Sequence, residues 1–317
     1  MRRILLCVLF AITTSAPLLS AQDQNSGLAH FFQLTRQGQP SQVIQAANLL
    51  LSNGKLPLVE QSKVMTYLAH AYQQTGDSHT AIGYYEKALA ILDRDGHQPS
   101  DYATTLGALA TLYAEIGQPD TAKHLLLRSI HLLEKDGDHD AEIAWIWNDL
   151  AIVATNEHSI REAHKYIARS IAESKRGTNV SSDQTAAILT TLATIAVLNH
   201  DPRTAIANYH LALTLWKQTH DDQRPETAWL YVLLGGAYLQ ADDITSAREM
   251  TIQGLNLLKS TLGQQSPRYL SAELLYAKVL DASGSHDEAS VLRQEAQVGV
   301  KTESIRSQGE ISISALR

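Results

Sequence analysis

The chain has 317 residues, 44% of them apolar and 19% charged, with 26 Lys and Arg against 33 Asp and Glu. That length and apolar content can fill the core of one large domain or two ordinary ones. A formal charge of -7 with no dense basic run speaks against nucleic acid as the partner.

Met1-Arg2-Arg3, the apolar run Ile4 to Ile12, the polar break Thr13-Thr14-Ser15 and the small residues that lead to Ala21 have the layout of a secretory signal peptide, residues 1–21. The run is far shorter than the roughly 20 residues that span a bilayer, so no stable membrane span is expected once the leader is cut. The only cysteine, Cys7, lies in that leader. A mature chain without thiols has no disulfide and no cysteine metal site. The expected location is periplasmic or secreted.

Leu28 to Leu51 contains the turn-like stretch Gly38-Gln39-Pro40-Ser41-Gln42-Val43, and it reads as a degenerate capping unit over residues 28–53. From about residue 58 to 300 the chain repeats. Ala81, Ala122, Ala163, Ala205, Ala247 and Ala289 recur at steps of 41, 41, 42, 42 and 42 residues. Leu68, Leu109, Leu150, Leu192, Leu234 and Tyr276 keep the same steps. Two columns in one register define six units.

Each unit reads as two helices. In the first, Leu68, Ala69 and Tyr72 form one stripe and Ala81, Tyr85 and Ala88 another, meeting across a turn that contains Gly76 and Asp77. In the second, Leu106, Leu109, Ala110 and Tyr113 fall at i, i+3, i+4 and i+7, and Ala122, Leu126, Ser129 and Leu133 form the facing stripe. Small side chains at Ala110 and Ala122 let two backbones approach.

Four residues before each aligned alanine stand Asp77, Gln118, Ser159, Asp201, Asp243 and Ser285, all but Gln118 good helix caps. Ser159 with Glu162 and Ser285 with Glu288 have capping-box spacing, and Pro119 and Pro202 suit a first helical position. Asp140, Ser182 and Ser266 are the corresponding caps of first helices, with Pro225 and Pro267 just inside.

These columns resemble tetratricopeptide repeats. The fullest matches are Leu68, Ala69, Tyr72, Gly76, Ala81, Tyr85 and Ala88, and then Trp147, Leu150, Ala151 and Ala163. The long unit and the segment Leu262-Gly263-Gln264-Gln265-Ser266-Pro267 are similar to the kinesin-light-chain-like variety. The resemblance implies an all-α fold, a right-handed α-solenoid superhelix of stacked helix-turn-helix hairpins whose inner wall is lined by the first helix of each unit. Residues five before, two before and two after each aligned Leu then face a groove. Among them Lys63, Thr66, His70, Thr111, Trp145, Asn148, Thr190, Thr194, Trp229 and Lys278 are the candidates for peptide contact. This lining is neutral and rich in hydroxyls, with two indoles. It suits an extended peptide whose main chain meets Asn148 and the threonines, and whose apolar side chains meet Trp145 and Trp229.

The expected function is a non-enzymatic protein-interaction module with a protein or peptide partner, and a homo-oligomer is left open. The alternative is a structural adaptor that works through ridges and outer faces. Thirteen histidines supply no His-Glu-x-x-His, and His158, His200 and His286 fall in repeat turns, so no metal or cofactor is expected. Leu234-Gly235-Gly236-Ala237 lies inside a helix and implies no phosphate loop. The polar composition of residues 301–317 predicts a disordered tail.

Overall fold

A computed structural model describes residues 30–34, 40–52, 56–94, 99–137, 139–177, 179–219 and 225–299. The expected leader and tail lie outside them. Among the described residues every regular element is a helix and there is no strand. The first are α1 (residues 30–34) and α2 (Pro40–Ser52). Then come α3 (Leu58–Gln74), α4 (Ser78–Arg94), α5 (Pro99–Glu115), α6 (Pro119–Asp136), α7 (Asp140–Asn156) and α8 (Ile160–Arg176). The chain continues with α9 (Ser182–Leu198), α10 (Pro202–Thr219), α11 (Pro225–Gln240), α12 (Ile244–Leu262), α13 (Pro267–Ala282) and α14 (residues 286–299). Consecutive helices pack as hairpins, α3 with α4, α5 with α6, α9 with α10 and α11 with α12, so the fold is an all-α solenoid. Neighbouring first helices also touch, α3 with α5, α9 with α11 and α11 with α13.

The chain divides into two compact units, one ending at Asp149 and the other beginning at Leu150. In the first unit Phe31, Leu34, Val43 and Ala47 of α1 and α2 pack on Val64, Leu68 and Ala71 of α3. Ala69, Ala81 and Tyr85 then join Ala108, Leu109 and Leu112 of α5. Each fully buried Leu or Val contributes about 1.5–3 kcal/mol. In the second unit Ala151, Ala154, Ala163 and Ile167 pack with Ile188 and Ile195 of α9. The largest cluster there gathers Tyr209, Trp216 and Leu234.

All six aligned alanines are buried. A second small column, not part of the sequence reading beyond Ala88 and Ser129, runs Ala88, Ser129, Ser170, Ala212, Gly254 and Ala296, again fully enclosed. Both columns face the partner helix, where a larger side chain would hold the backbones apart. The Ser129 hydroxyl uses the closeness to donate to the Ala103 carbonyl at 3.1 Å. Helices α11 and α12 approach each other closely. A Cβ on Gly235 would stand 2.2 Å from Thr251 Oγ1, and Thr251 itself replaces the large side chain that Tyr85, Leu126, Ile167 and Tyr209 supply at that position in other units.

Among the described residues, the turns from α3 to α4 and at the same place in the five later units share one construction. Gly76, Gly117, His158, His200, Asp242 and Gly284 all have positive φ, from 57° to 87°. In each the amide of that residue donates three positions back and the next amide donates five positions back, as Gly76 does to Gln73 and Asp77 to Tyr72. This is the Schellman closure of a helix by a left-handed residue. The residue whose amide closes one helix then opens the next. Asp77, Asp201 and Asp243 accept from the amides of Thr80, Thr204 and Ser246 at 3.1, 3.2 and 3.1 Å.

Three cap assignments differ from the sequence reading. Ser159 makes no side-chain cap bond. The capping box of α9 is built by Ser181 with Gln184, one residue earlier than Ser182. Asp140 is the first residue of α7 rather than its cap. In the last unit Arg293 stands in the large apolar column and pairs with Asp281 at the end of α13.

Candidate functional site

Within the first unit, α3 and α5 place several candidates side by side. Lys63 Nζ lies 3.8 Å from Asp101 Oδ2 of α5, with both side chains about a third exposed. The Thr66 hydroxyl donates to the Ser62 carbonyl at 3.0 Å and stands 3.2 Å from Thr105 Oγ1. One turn on, His70 is half-buried, and burial lowers its pKa, which favours the neutral imidazole. Thr111 is half-buried and donates to the Gly107 carbonyl at 3.1 Å. On α7, Trp145 is half-buried and Asn148 is 1% exposed.

Within the second unit, Thr190 and Thr194 of α9 are buried. Thr190 donates to the Ala186 carbonyl at 2.8 Å. Thr194 donates to Thr190 at 2.9 Å and lies 2.9 Å from the Tyr209 hydroxyl, which joins α9 to α10. Trp229 of α11 is half-buried, and Lys278 of α13 is exposed. Trp147 and Trp216, by contrast, are core residues.

Among the described residues four buried side-chain atoms lack a hydrogen-bond partner: Glu115 Oε1, Asn148 Oδ1, Trp229 Nε1 and Gln240 Oε1. All four stand on first helices, α5, α7 and α11. A buried polar group left unpaired costs about 1–3 kcal/mol, so such atoms call for an explanation at each place they occur. Asn148 and Trp229 were singled out by the repeat register; Glu115 and Gln240 were not.

Glu115 belongs to a chain of contacts across three helices. Tyr85 of α4 donates to Gln73 Oε1 at 3.2 Å, and Gln73 of α3 donates to Glu115 Oε2 at 2.7 Å. Burial raises the Glu115 carboxyl, against a smaller opposing effect of the Gln73 bond. In the second unit Gln240 donates to the Val197 carbonyl at 3.0 Å, tying α11 to α9. Asp149, adjacent to Asn148, is a further group that register alone did not mark. Among the described residues no group of three or more His, Cys, Asp or Glu side chains could hold a metal ion, and no helix is long and apolar enough to cross a membrane.

Residues 60–135 and 184–260 match the family profile described as tetratricopeptide repeat. Those stretches are tetratricopeptide repeats. No curated protein sequence matches the chain. Among solved structures, the apo form of RapI is similar over 87% of this chain and 98% of its own, at 13% identity and a TM-score of 0.65. NprR in complex with its cognate peptide NprX matches 92% of this chain with 87% of its own, at 14% identity and a TM-score of 0.63. BtubC from P. vanneervenii matches 74% of this chain with 92% of its own, at 19% identity and a TM-score of 0.55. At such identities the likeness is one of tetratricopeptide fold.

Proposed function

We propose that this protein is a non-enzymatic interaction module of the cell envelope or secreted fraction that binds an extended peptide on the first-helix face of its tetratricopeptide repeats. The observation that carries the reading is the distribution of unpartnered buried polar atoms, all of them on first helices. A peptide main chain offers donors and acceptors at regular spacing, and the half-buried indoles of Trp145 on α7 and Trp229 on α11 offer apolar surface on two of the same helices. The NprR fold, which holds a cognate peptide, supports the same reading.

The test is selection from an end-capped random nonapeptide library by residues 22–317, wild type against a Trp145→Ala, Trp229→Ala double variant of equal helicity. A selected pool that the double variant loses supports the first-helix face. A pool retained equally by both, or no pool at all, overturns it. Export is tested separately by sequencing the N-terminus of protein from the source cells, where Gln22 as first residue supports cleavage and an intact Met1 opposes it.

A specific observation favours the adaptor as second reading. Leu49, Leu127, Leu211 and Val291, 45 to 65% exposed, sit on second helices, α2, α6, α10 and α14, while Leu58 at the start of α3 is the first-helix residue of similar exposure. Arg128 on α6 lies over the Tyr102 ring, 5.5 Å from its centroid, and donates to its hydroxyl at 2.9 Å. An assembly that survives the tryptophan variant but fails with Arg128→Glu would belong to this outer face.

A further inference from the structure

On α7, Trp145, Asn148 and Asp149 stand at i, i+3 and i+4, which brings their side chains together on one face. The three are chemically a set. Asn148 is 1% exposed and its Oδ1 has no partner. Asp149 is half-buried, and burial alone pushes its carboxyl up to about 8, with no hydrogen bond and no charged neighbour contributing. The carboxylate therefore lacks the counter-charge that buried acids ordinarily keep. In the same unit half-buried Lys63, by contrast, is matched by Asp101.

We propose that Trp145, Asn148 and Asp149 form a subsite for one lysine or arginine side chain of the bound peptide. The cationic head meets the Asp149 carboxylate, the amide oxygen of Asn148 accepts a second N–H, and the Trp145 ring takes the aliphatic stem or the cation over its face. A cation is the ligand charge that the uncompensated carboxyl favours; an acidic side chain would place like charges together. The inference rests on the peptide-binding reading and adds the chemistry of one peptide position.

The experiment is the same capped nonapeptide library, selected at pH 8 by wild type and by Asp149→Asn, followed by a cycle with one selected peptide and its lysine→norleucine counterpart. Asparagine keeps the shape of the acid, and thermal melts confirm that the variant is folded. The expected result is one position enriched in Lys or Arg for wild type and not for Asp149→Asn. The norleucine peptide then binds wild type at least tenfold more weakly and the variant equally well. A pool without a basic position, or with the same basic position in both proteins, overturns the subsite and leaves peptide binding standing. Failure of wild type to select any peptide overturns the peptide-binding reading and this inference with it.

Discussion

A Cβ added to Gly254 of α12 would stand 2.9 Å from the carbonyl oxygen of Ala228 and 3.0 Å from the amide nitrogen of Val232, both on α11. Neither is the end of a flexible side chain, so the two backbones must part to make room. Gly254→Ala is expected to lower stability by about 1–3 kcal/mol, more than the helix propensity of alanine returns. Gly236, one residue from the tight contact at Gly235, would meet only Leu275 at 3.7 Å. Gly236→Ala should therefore be neutral or stabilising by up to about 1 kcal/mol. Urea melts of the two variants check the pair, and equal effects would refute the close approach.

His158 holds a φ of 57° at the turn position where Gly76, Gly117 and Gly284 stand in other units. The left-handed conformation costs a non-glycine residue roughly 1–2 kcal/mol, while glycine adds back some chain entropy on unfolding. His158→Gly should gain about 0.5–1 kcal/mol, read as a rise in Tm. His200→Gly should gain less, because the His200 ring nitrogen Nδ1 lies 3.3 Å from Gln240 Nε2 and that contact is lost.

The turn histidines show how far the sequence was legible. Their spacing places them with the turn glycines, so the repeat register predicts the fold, the paired helices and the buried alanines. Register also predicts which helix end needs a cap. It does not predict whether Ser159 turns its hydroxyl to the amides, because that depends on the local backbone, and Ser159 makes no such bond. The candidate face is legible in part for a similar reason. Position nominates Thr66, Thr190 and Thr194 alike, yet each hydroxyl is bonded to the carbonyl four residues earlier, a choice made by the rotamer. The unpartnered state of Asn148 and the burial of Asp149 come from packing around α7, which no spacing within one unit encodes.

The Glu115 contact yields a prediction that separates hydrogen bonding from charge. Glu115→Gln keeps an acceptor for Gln73 Nε2 while removing a carboxylate that burial disfavours. It is expected to be neutral or stabilising at pH 7. Gln73→Leu instead leaves Tyr85 and Glu115 without the partner they share, and should cost about 1–3 kcal/mol. Chemical denaturation of both variants decides the matter, and a larger loss from Glu115→Gln would contradict the ordering.

Asp149 gives the fold a dependence on pH of known sign. Its carboxyl is raised from the ordinary 3.8 to about 8 by burial. Between those values the folded chain holds a proton that the unfolded chain has released, so stability falls as pH rises. The loss is absent below about 4 and complete above about 8. Asp149→Asn removes the titration and should stabilise the protein by about 2–4 kcal/mol at pH 8, and by much less at pH 4. Urea melts of wild type and variant at both pH values measure it directly. A gain of the same size at both would mean that the variant acts through packing or the unfolded chain, and that an ionised Asp149 is not what burdens the fold.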